Sequence, residues 1–395
     1  MSSVQAFLDV FGVGSHADPY PHYAALRTQA PAVWNEQLQL WLVTRHADVV
    51  DVLRRIGDFS AIANERQSPA VSKRRGTPNI ITLDRPDHQR LRQILQKRFT
   101  NRELVRYDHC IADVTARLLR NIADSDDVDL VRDLSVPLPV TVIASAMGIE
   151  LDRLHDFKRW SDALVRILTI PDTTPEWQLA RTELLELIVF FREQSEQRRA
   201  NPNDDIIGLL TAAEQQPGRI SANEIVSYCL LLLAAGNETT TNLIGGMVIA
   251  LLEHPDELNY LTRNPDKIPQ AVEEGLRYCA PVQVLFRRAK TATTIGDVAI
   301  GPNEDVGVCY ASANRDERVF DAPGKFSIRR DPSNHMGFGY GLHHCLGAHL
   351  ARREASAAIG ALLPLLPKLR PAFVNPVWVD SWVVRGPQSL PFERA

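Results

Sequence analysis

Cys345 stands in the run Phe338-Gly339-Tyr340-Gly341-Leu342-His343-His344-Cys345-Leu346-Gly347, a setting suited to a thiolate that holds a metal. Glycines at 339, 341 and 347 open backbone conformations closed to other residues and let a flat partner come close. The following Ala348 to Glu354 reads as helix, so the sulfur lies near a positive helix end with His343 alongside, and both favour the deprotonated form. Such a sulfur can bind iron. On residue types alone the run also admits a buried structural cysteine, a small metal site made by His343, His344, Cys345 and His349, or a hydrolase pairing Cys345 with His343.

The run resembles the haem-binding signature of the cytochrome P-450 family, with Phe338, Gly341, His343, Cys345 and Gly347 at its required positions. The resemblance implies haem b, its iron held by the Cys345 thiolate, an axial ligand that pushes electron density toward O–O cleavage. It further implies that N–H groups at Leu346 and Gly347 point at the sulfur and that Phe338 packs beside the loop. Gly337, where relatives often carry alanine or serine, is expected to loosen the loop slightly.

Three more motifs match the same family. Ala235-Gly236-Asn237-Glu238-Thr239-Thr240 resembles the acid-threonine motif of the helix crossing the distal haem face. The resemblance implies a widened turn that forms a groove, Ala235 against the haem, Thr239 as hydrogen-bond partner of dioxygen and Glu238 as proton relay. Read without it, the patch is a Ser/Thr kink with a solvated glutamate. Glu274-Gly275-Leu276-Arg277 places carboxylate and guanidinium on one helix face; the resemblance implies a buried pair behind the cysteine loop. Its usual third partner is left unassigned, since Lys325 stands where many relatives have the bidentate arginine. Asp84 to Arg92 resembles the family's Asp-x-Pro-x-His-x-x-x-Arg helix start, which implies that His88 and Arg92 face a haem propionate together. Arg287 and His343 would bind propionates from the other side, with neighbouring Arg288 a competitor for the role. Ordinary surface charge is the plain alternative for all of them.

Helical periodicity dominates the segments that must position these residues: Arg102 to Ala123, Leu151 to Ile170, Pro175 to Arg199, Ala222 to His254, Pro255 to Asn264, Pro269 to Tyr278 and Leu346 to Leu363. Strand-like pieces are Leu40 to Thr44, Val49 to Leu53, Phe286 to Ile295, Val298 to Tyr310 and a hairpin across Val377 to Leu390. The expected fold is mainly α with small β-sheets, the P-450 fold, in a single large domain over residues 1–395, because no linker or internal repeat divides the chain.

Composition narrows the function classes. A net charge of −4 argues against nucleic acid or an anionic membrane as partner. Five scattered cysteines fit a reducing compartment better than a disulfide framework. Met1 to Tyr20 reads as neither signal peptide nor anchor, and the apolar run Cys229 to Gly236 is far short of the roughly 20 residues a bilayer needs. A soluble, cytoplasmic protein is expected.

The resemblance implies a monooxygenase that inserts one oxygen atom from O₂ into an organic substrate, with electrons from a ferredoxin and its NAD(P)H-dependent reductase. Arg90, Arg98, His344, Arg352 and Arg353 would make a basic face for an acidic ferredoxin. The expected pocket walls are Ser60 to Ile81, Asp162 to Ile170, Tyr228 to Ala235, Gln283-Val284-Leu285 and Trp378 to Val383. Most are apolar, which suits an apolar, medium-sized organic substrate such as a terpenoid, aromatic or polyketide. Lys73-Arg74-Arg75 would attract a carboxylate or carrier protein, if it is more than a solvated cluster. A catalytically silent relative, or a haem enzyme using peroxide, would be expected to have lost Cys345 or the Glu238-Thr239 pair.

Overall fold

Apolar periodicity becomes a body of packed helices with four small sheets among the described residues. The computed structural model describes residues 17–63, 78–150, 153–169 and 173–394. In chain order the principal helices are α1 Tyr20–Gln29, α2 His46–Arg54, α3 Asp87–Gln96, α4 Asp108–Asp124, α5 Pro137–Ala146, α6 Leu154–Thr169, α7 Pro175–Ala200, α8 Ile206–Glu214, α9 Ala222–Glu253, α10 Pro255–Arg263, α11 Ile268–Tyr278 and α12 Ala348–Leu362. Val49 to Leu53, expected as a strand, lies inside α2: Val49, Val52 and Leu53 are its buried residues, a helical spacing that wins over β-propensity. Helices α1, α5 and α8 were not among the expected segments.

The strands are β1 Ala32–Asn35, β2 Leu40–Val43, β3 Phe59–Ser60, β4 Val128–Asp129, β5 Val284–Ala289, β6 Thr293–Ile295, β7 Val298–Ile300, β8 Asp305–Cys309, β9 Leu369–Pro371, β10 Val377–Trp378, β11 Pro387–Ser389 and β12 Pro391–Arg394. Five of them form a sheet in the order β1-β2-β8-β5-β3, antiparallel except where β2 runs parallel to β8. Within it Arg287 of β5 sits opposite Val306. The other strands make a sheet β4-β12-β9 and the pairs β10-β11 and β6-β7.

Helix α9 runs through the middle of the main core. A capping box starts it: Ser221 Oγ accepts from the Glu224 N–H at 3.3 Å, and the Ser221 N–H donates to Glu224 Oε2 at 2.7 Å. Beyond the cap, Ile225, Cys229, Leu233, Ile244, Val248 and Leu251 are buried without remainder. Neither the widened turn nor the Ser/Thr kink expected around Gly236 to Thr240 breaks the helix, which is continuous from Ala222 to Glu253. The Thr239 hydroxyl donates to the Ala235 carbonyl at 2.9 Å, so this side chain is satisfied by its own helix without opening it.

Candidate haem-thiolate site

The cysteine loop is folded by its own backbone. Gly339 and Gly341 hold φ of +69° and +70°, which demand glycine, and the Cys345 N–H donates to the Phe338 carbonyl at 2.9 Å. Gly347 does not share that reason: its φ is −84°, and a Cβ added there would meet no protein atom within 4 Å. Gly337 does not loosen the loop. A Cβ there would lie 3.0 Å from both the Leu276 carbonyl and the Leu276 Cβ, so glycine lets the segment press onto α11.

Behind the loop, Glu274 and Arg277 are fully buried and joined by two hydrogen bonds of 2.7 Å. Arg277 also donates to the carbonyls of Asn314 (3.0 Å), Pro323 (2.9 Å) and Lys325 (3.1 Å). Asn314 Oδ1 accepts the Met336 N–H at 2.5 Å, which carries the contact into the cysteine segment. The third partner is therefore largely main chain, and Arg330, 3.5 Å from Glu274, supplies the guanidinium that Lys325 does not. Phe338 is buried under the Arg352 guanidinium, 4.5 Å from its ring centre. Arg352 is held by Glu273 at 2.5 and 2.9 Å, and His335 binds Glu273 at 3.0 Å. Burial would push the Glu273 carboxyl up, but these two partners bring it down to about 2.

Cys345 keeps accessible surface, yet protein surrounds it closely enough that burial is the leading influence on its thiol. Both hold if that surface faces an interior hollow. Burial raises the thiol against the opposing pull of the Gly347 N–H, Arg92 and Arg352. The expected help from His343 is missing, because that imidazole is itself neutral. Burial, with the charge of Arg287 and the nearby His88, brings it down to about 3, while its Nδ1 lies 3.1 Å from the Ile80 carbonyl. Ala235 is likewise accessible in the middle of the core helix α9, which again indicates interior space.

His88 and Arg92 project one turn apart from α3, and Arg287 from β5. The rings of His88 and His343 are 4.4 Å apart at their centres. His88 is 1% exposed, and among the described residues neither ring nitrogen has a hydrogen-bond partner; burial and the charges of Arg92 and Arg85 pull it down to about 4. Arg287 is buried, donates to the Phe286 carbonyl at 2.7 Å and hydrogen-bonds the buried Tyr310 hydroxyl. Arg288 points elsewhere and pairs with Asp305 at 2.7 Å. The cluster thus gathers two neutral imidazoles with the guanidinium groups of Arg92 and Arg287, where the nearby carboxylate, Asp84, is already engaged by the Ala61 N–H and Lys290. A group bearing two carboxylates and a thiophilic metal fits it. Arg92 ties cluster and sulfur together, since its charge acts on both His88 and Cys345.

On α9, burial raises the Glu238 carboxyl, and among the described residues no cation or hydrogen bond pins it. Thr239 lies one residue on. Three features escaped the sequence: Tyr310 beside Arg287, the Asn237–Ser161 contact of 2.8 Å, and Glu354, whose buried carboxyl bonds Thr240 and is pushed up to about 8 by burial. Each acts through a contact between segments far apart in the chain, Tyr310 with Arg287, Asn237 with Ser161 and Glu354 with Thr240, which local sequence does not reveal.

Other expectations fare differently. Among the described residues no three His, Cys, Asp or Glu side chains are gathered to hold a metal ion. The basic face is charge-compensated: Arg90 pairs with Asp87 and Glu224, buried Arg98 with Asp204, Arg352 with Glu273 and Arg353 with Asp108. Lys73-Arg74-Arg75, Met1 to His16 and most of the Ser60 to Ile81 wall lie outside the described residues. Among the described residues no helix is long and apolar enough to cross a membrane.

The family model for Cytochrome P450 matches residues 29–365. Cytochrome P450 107B1 of Saccharopolyspora erythraea is 38% identical over 369 residues, 90% of this chain and 89% of that protein. The 6-deoxyerythronolide B hydroxylase of the same organism is 34% identical, covering 95% of this chain and 96% of the relative. The crystal structure of CYP109E1 from Bacillus megaterium in complex with corticosterone superposes with a TM-score of 0.86 at 34% identity, over 96% of this chain and 99% of that one. The chain belongs to the cytochrome P450 family, monooxygenases that bind haem b through a cysteine thiolate.

Proposed function

We propose that Cys345 is the axial ligand of haem b and that His88, Arg92, Arg287 and His343 bind its propionates. Phe338, Gly347 and Ala235 would contact the ring. The observation that carries this reading is the conjunction of an enclosed but accessible thiol with a buried cationic cluster whose nearby carboxylate, Asp84, is already engaged by the Ala61 N–H and Lys290. When bound, the haem supplies reductive activation of O₂, which no side chain can perform.

The chain's own groups do the rest. Cys345 gives up its proton to become a ligand, eased by Arg92, Arg352 and the Gly347 N–H against the cost of burial. Glu238, whose carboxyl is raised by burial, favours its protonated form more than a carboxyl in water does and can pass that proton toward the Thr239 hydroxyl. Release of Thr239 from the Ala235 carbonyl turns that hydroxyl to a new acceptor. The apolar walls formed by α6, the first half of α9 and Leu285 position the substrate and exclude water.

The reaction is hydroxylation or epoxidation of an apolar, medium-sized organic substrate in the cytoplasm, with electrons from a ferredoxin and its NAD(P)H-dependent reductase. Relatives named for 6-deoxyerythronolide B and crystallised with corticosterone support a ring-built substrate of that size. Turnover under isotopically labelled dioxygen tests the reading. One heavy oxygen atom per product molecule is expected, and Thr239→Ala should divert reducing equivalents to peroxide while keeping haem. Product without label, or unchanged peroxide in Thr239→Ala, would remove it.

A further inference from the structure

Asn237 sits between the accessible turn of α9 at Ala235 and the unpinned carboxyl of Glu238, yet its own side chain faces away into the protein. Its Nδ2 donates to Ser161 Oγ on α6 at 2.8 Å, and both residues are buried, at 7% and 2% exposure. Its Oδ1 lies 3.3 Å from the Thr241 hydroxyl, which donates to the Ser135 carbonyl at 2.8 Å. This turn of α9 is thus clamped from α6 on one side and from the segment before α5 on the other.

Helix α6 is bound to α7 as a unit. Arg159 pairs with Glu186 at 2.7 Å and Arg166 with Glu183 at 2.5 Å, and Phe157 and Trp160 pack on Phe190. A displacement of α6 therefore involves the pair, and the Ser161–Asn237 bond is a buried polar route from that pair into α9. Leaving either partner unsatisfied is costly in such surroundings, so the bond persists and transmits position. Among the described residues Glu238 makes no hydrogen bond or ion pair of its own, so the helix backbone is what sets its position. What sets the backbone at 237 also sets Glu238 and Thr239.

We propose that Asn237 is a positioning residue for Glu238 and Thr239, and that Ser161 reports to it whether a substrate lies against α6. This rests on the monooxygenase reading of the site and adds a coupling between substrate fit and proton delivery. A molecule that seats α6 aligns the acid-threonine turn; one that does not leaves the turn misplaced, and electrons leave as peroxide. The tie fixes substrate specificity at the level of coupling, beyond the shape of the walls.

The test uses Ser161→Ala, Ser161→Thr, Asn237→Ala and the double variant Ser161→Ala/Asn237→Ala, with a substrate that shifts the haem spin state. Two quantities are read: peroxide formed per NAD(P)H, and amide hydrogen exchange over residues 235–241 with and without substrate. A bond of ordinary strength corresponds to about a threefold or larger change in an equilibrium. Ser161→Ala and Asn237→Ala should each raise the peroxide fraction by about threefold or more, and the double variant should add little to either. Ser161→Thr, which keeps a hydroxyl, should restore coupling. Substrate should slow exchange in the unaltered protein but not in Ser161→Ala. If Ser161→Ala shows a thiolate-type ferrous-CO band with unchanged coupling and an unchanged exchange response, the proposal falls while the site reading stands. Additive effects in the double variant would overturn it equally. Absence of that band from the unaltered protein instead removes the site reading and the proposal with it. Should Asn237→Ala fail to accumulate folded, the two Ser161 variants decide.

Discussion

His88 and His343 come together from helix α3 and the cysteine loop, their ring centres 4.4 Å apart and their planes inclined by 57°. Among the described residues, the charged groups acting on them are Arg85, Arg92, Arg287 and the carboxylate of Asp84. Asp84 is already bonded to the Ala61 N–H and lies 3.3 Å from Lys290. Two imidazoles in a cationic, buried space stay neutral, and that is a cost whenever the solvent would protonate them.

The sign follows from linkage. Both folded values, about 4 and about 3, lie below the ordinary histidine value of 6.5. Below pH 6.5 the unfolded chain binds protons that the folded haem-free protein refuses, so stability falls as pH drops toward 4. The slope approaches two protons, about 2.7 kcal/mol per pH unit. Haem carboxylates would raise both values and flatten the slope. Denaturant midpoints at pH 6.5, 5.5 and 4.5, with and without haem, check this. His88→Gln should reduce the haem-free slope by about one proton.

Arg287→Ala and Arg288→Ala should separate cleanly although the residues are adjacent. Arg287 lies beside His343 and Tyr310, so its loss should weaken haem retention, by about tenfold or more if a charge-assisted bond of about 1.5–3 kcal/mol is removed. Arg288 pairs with Asp305 and is partly exposed; its loss should leave haem retention nearly unchanged. Haem transfer to an apo-globin measures both.

Glu354→Gln should stabilise the protein at alkaline pH. Burial pushes this carboxyl up to about 8, so the folded state keeps a proton that the unfolded state loses above about 4.5. The folded form is favoured below the unfolded value, and this contribution is lost as pH rises toward 8, at about 1.4 kcal/mol per unit. The glutamine variant removes that slope. Thermal unfolding at pH 5.5 and pH 8 should show a gain at pH 8 relative to pH 5.5; an equal shift at both would contradict it.

The buried Glu274–Arg277 pair should be intolerant of half-removal. Glu274→Ala leaves a guanidinium buried without its carboxylate and should cost about 3–5 kcal/mol. Because Arg277 reaches the cysteine segment through Asn314, haem incorporation should fall with stability. Equilibrium denaturation and the haem-to-protein ratio read the two effects.

Much of this was legible in the chain because motif residues act at fixed spacing along single elements. Cys345, Glu238, Thr239, His88 and Arg92 are read within one loop or helix each. What was not legible depends on meetings between distant segments. That Arg288 is taken up by Asp305 while Arg287 lies beside Tyr310 and His343 depends on how β5 packs against β8, which local sequence does not reveal. The substitution of main-chain carbonyls and Arg330 for a bidentate partner at Arg277 depends on how residues 314–330 wrap α11. Val49 to Leu53 misled because β-branched residues at helical spacing satisfy both patterns over so short a run. The pairing of Arg90, Arg98, Arg352 and Arg353 with carboxylates is equally invisible to a count of basic residues.

The most direct measurement is the absorption spectrum of the purified haem-loaded protein, reduced and exposed to carbon monoxide, beside that of Cys345→Ala. A strongly red-shifted ferrous-CO band in the unaltered protein, absent from the variant, is expected if sulfur at position 345 holds the iron. A band at the position typical of imidazole-held haem, or one that survives in Cys345→Ala, would contradict it.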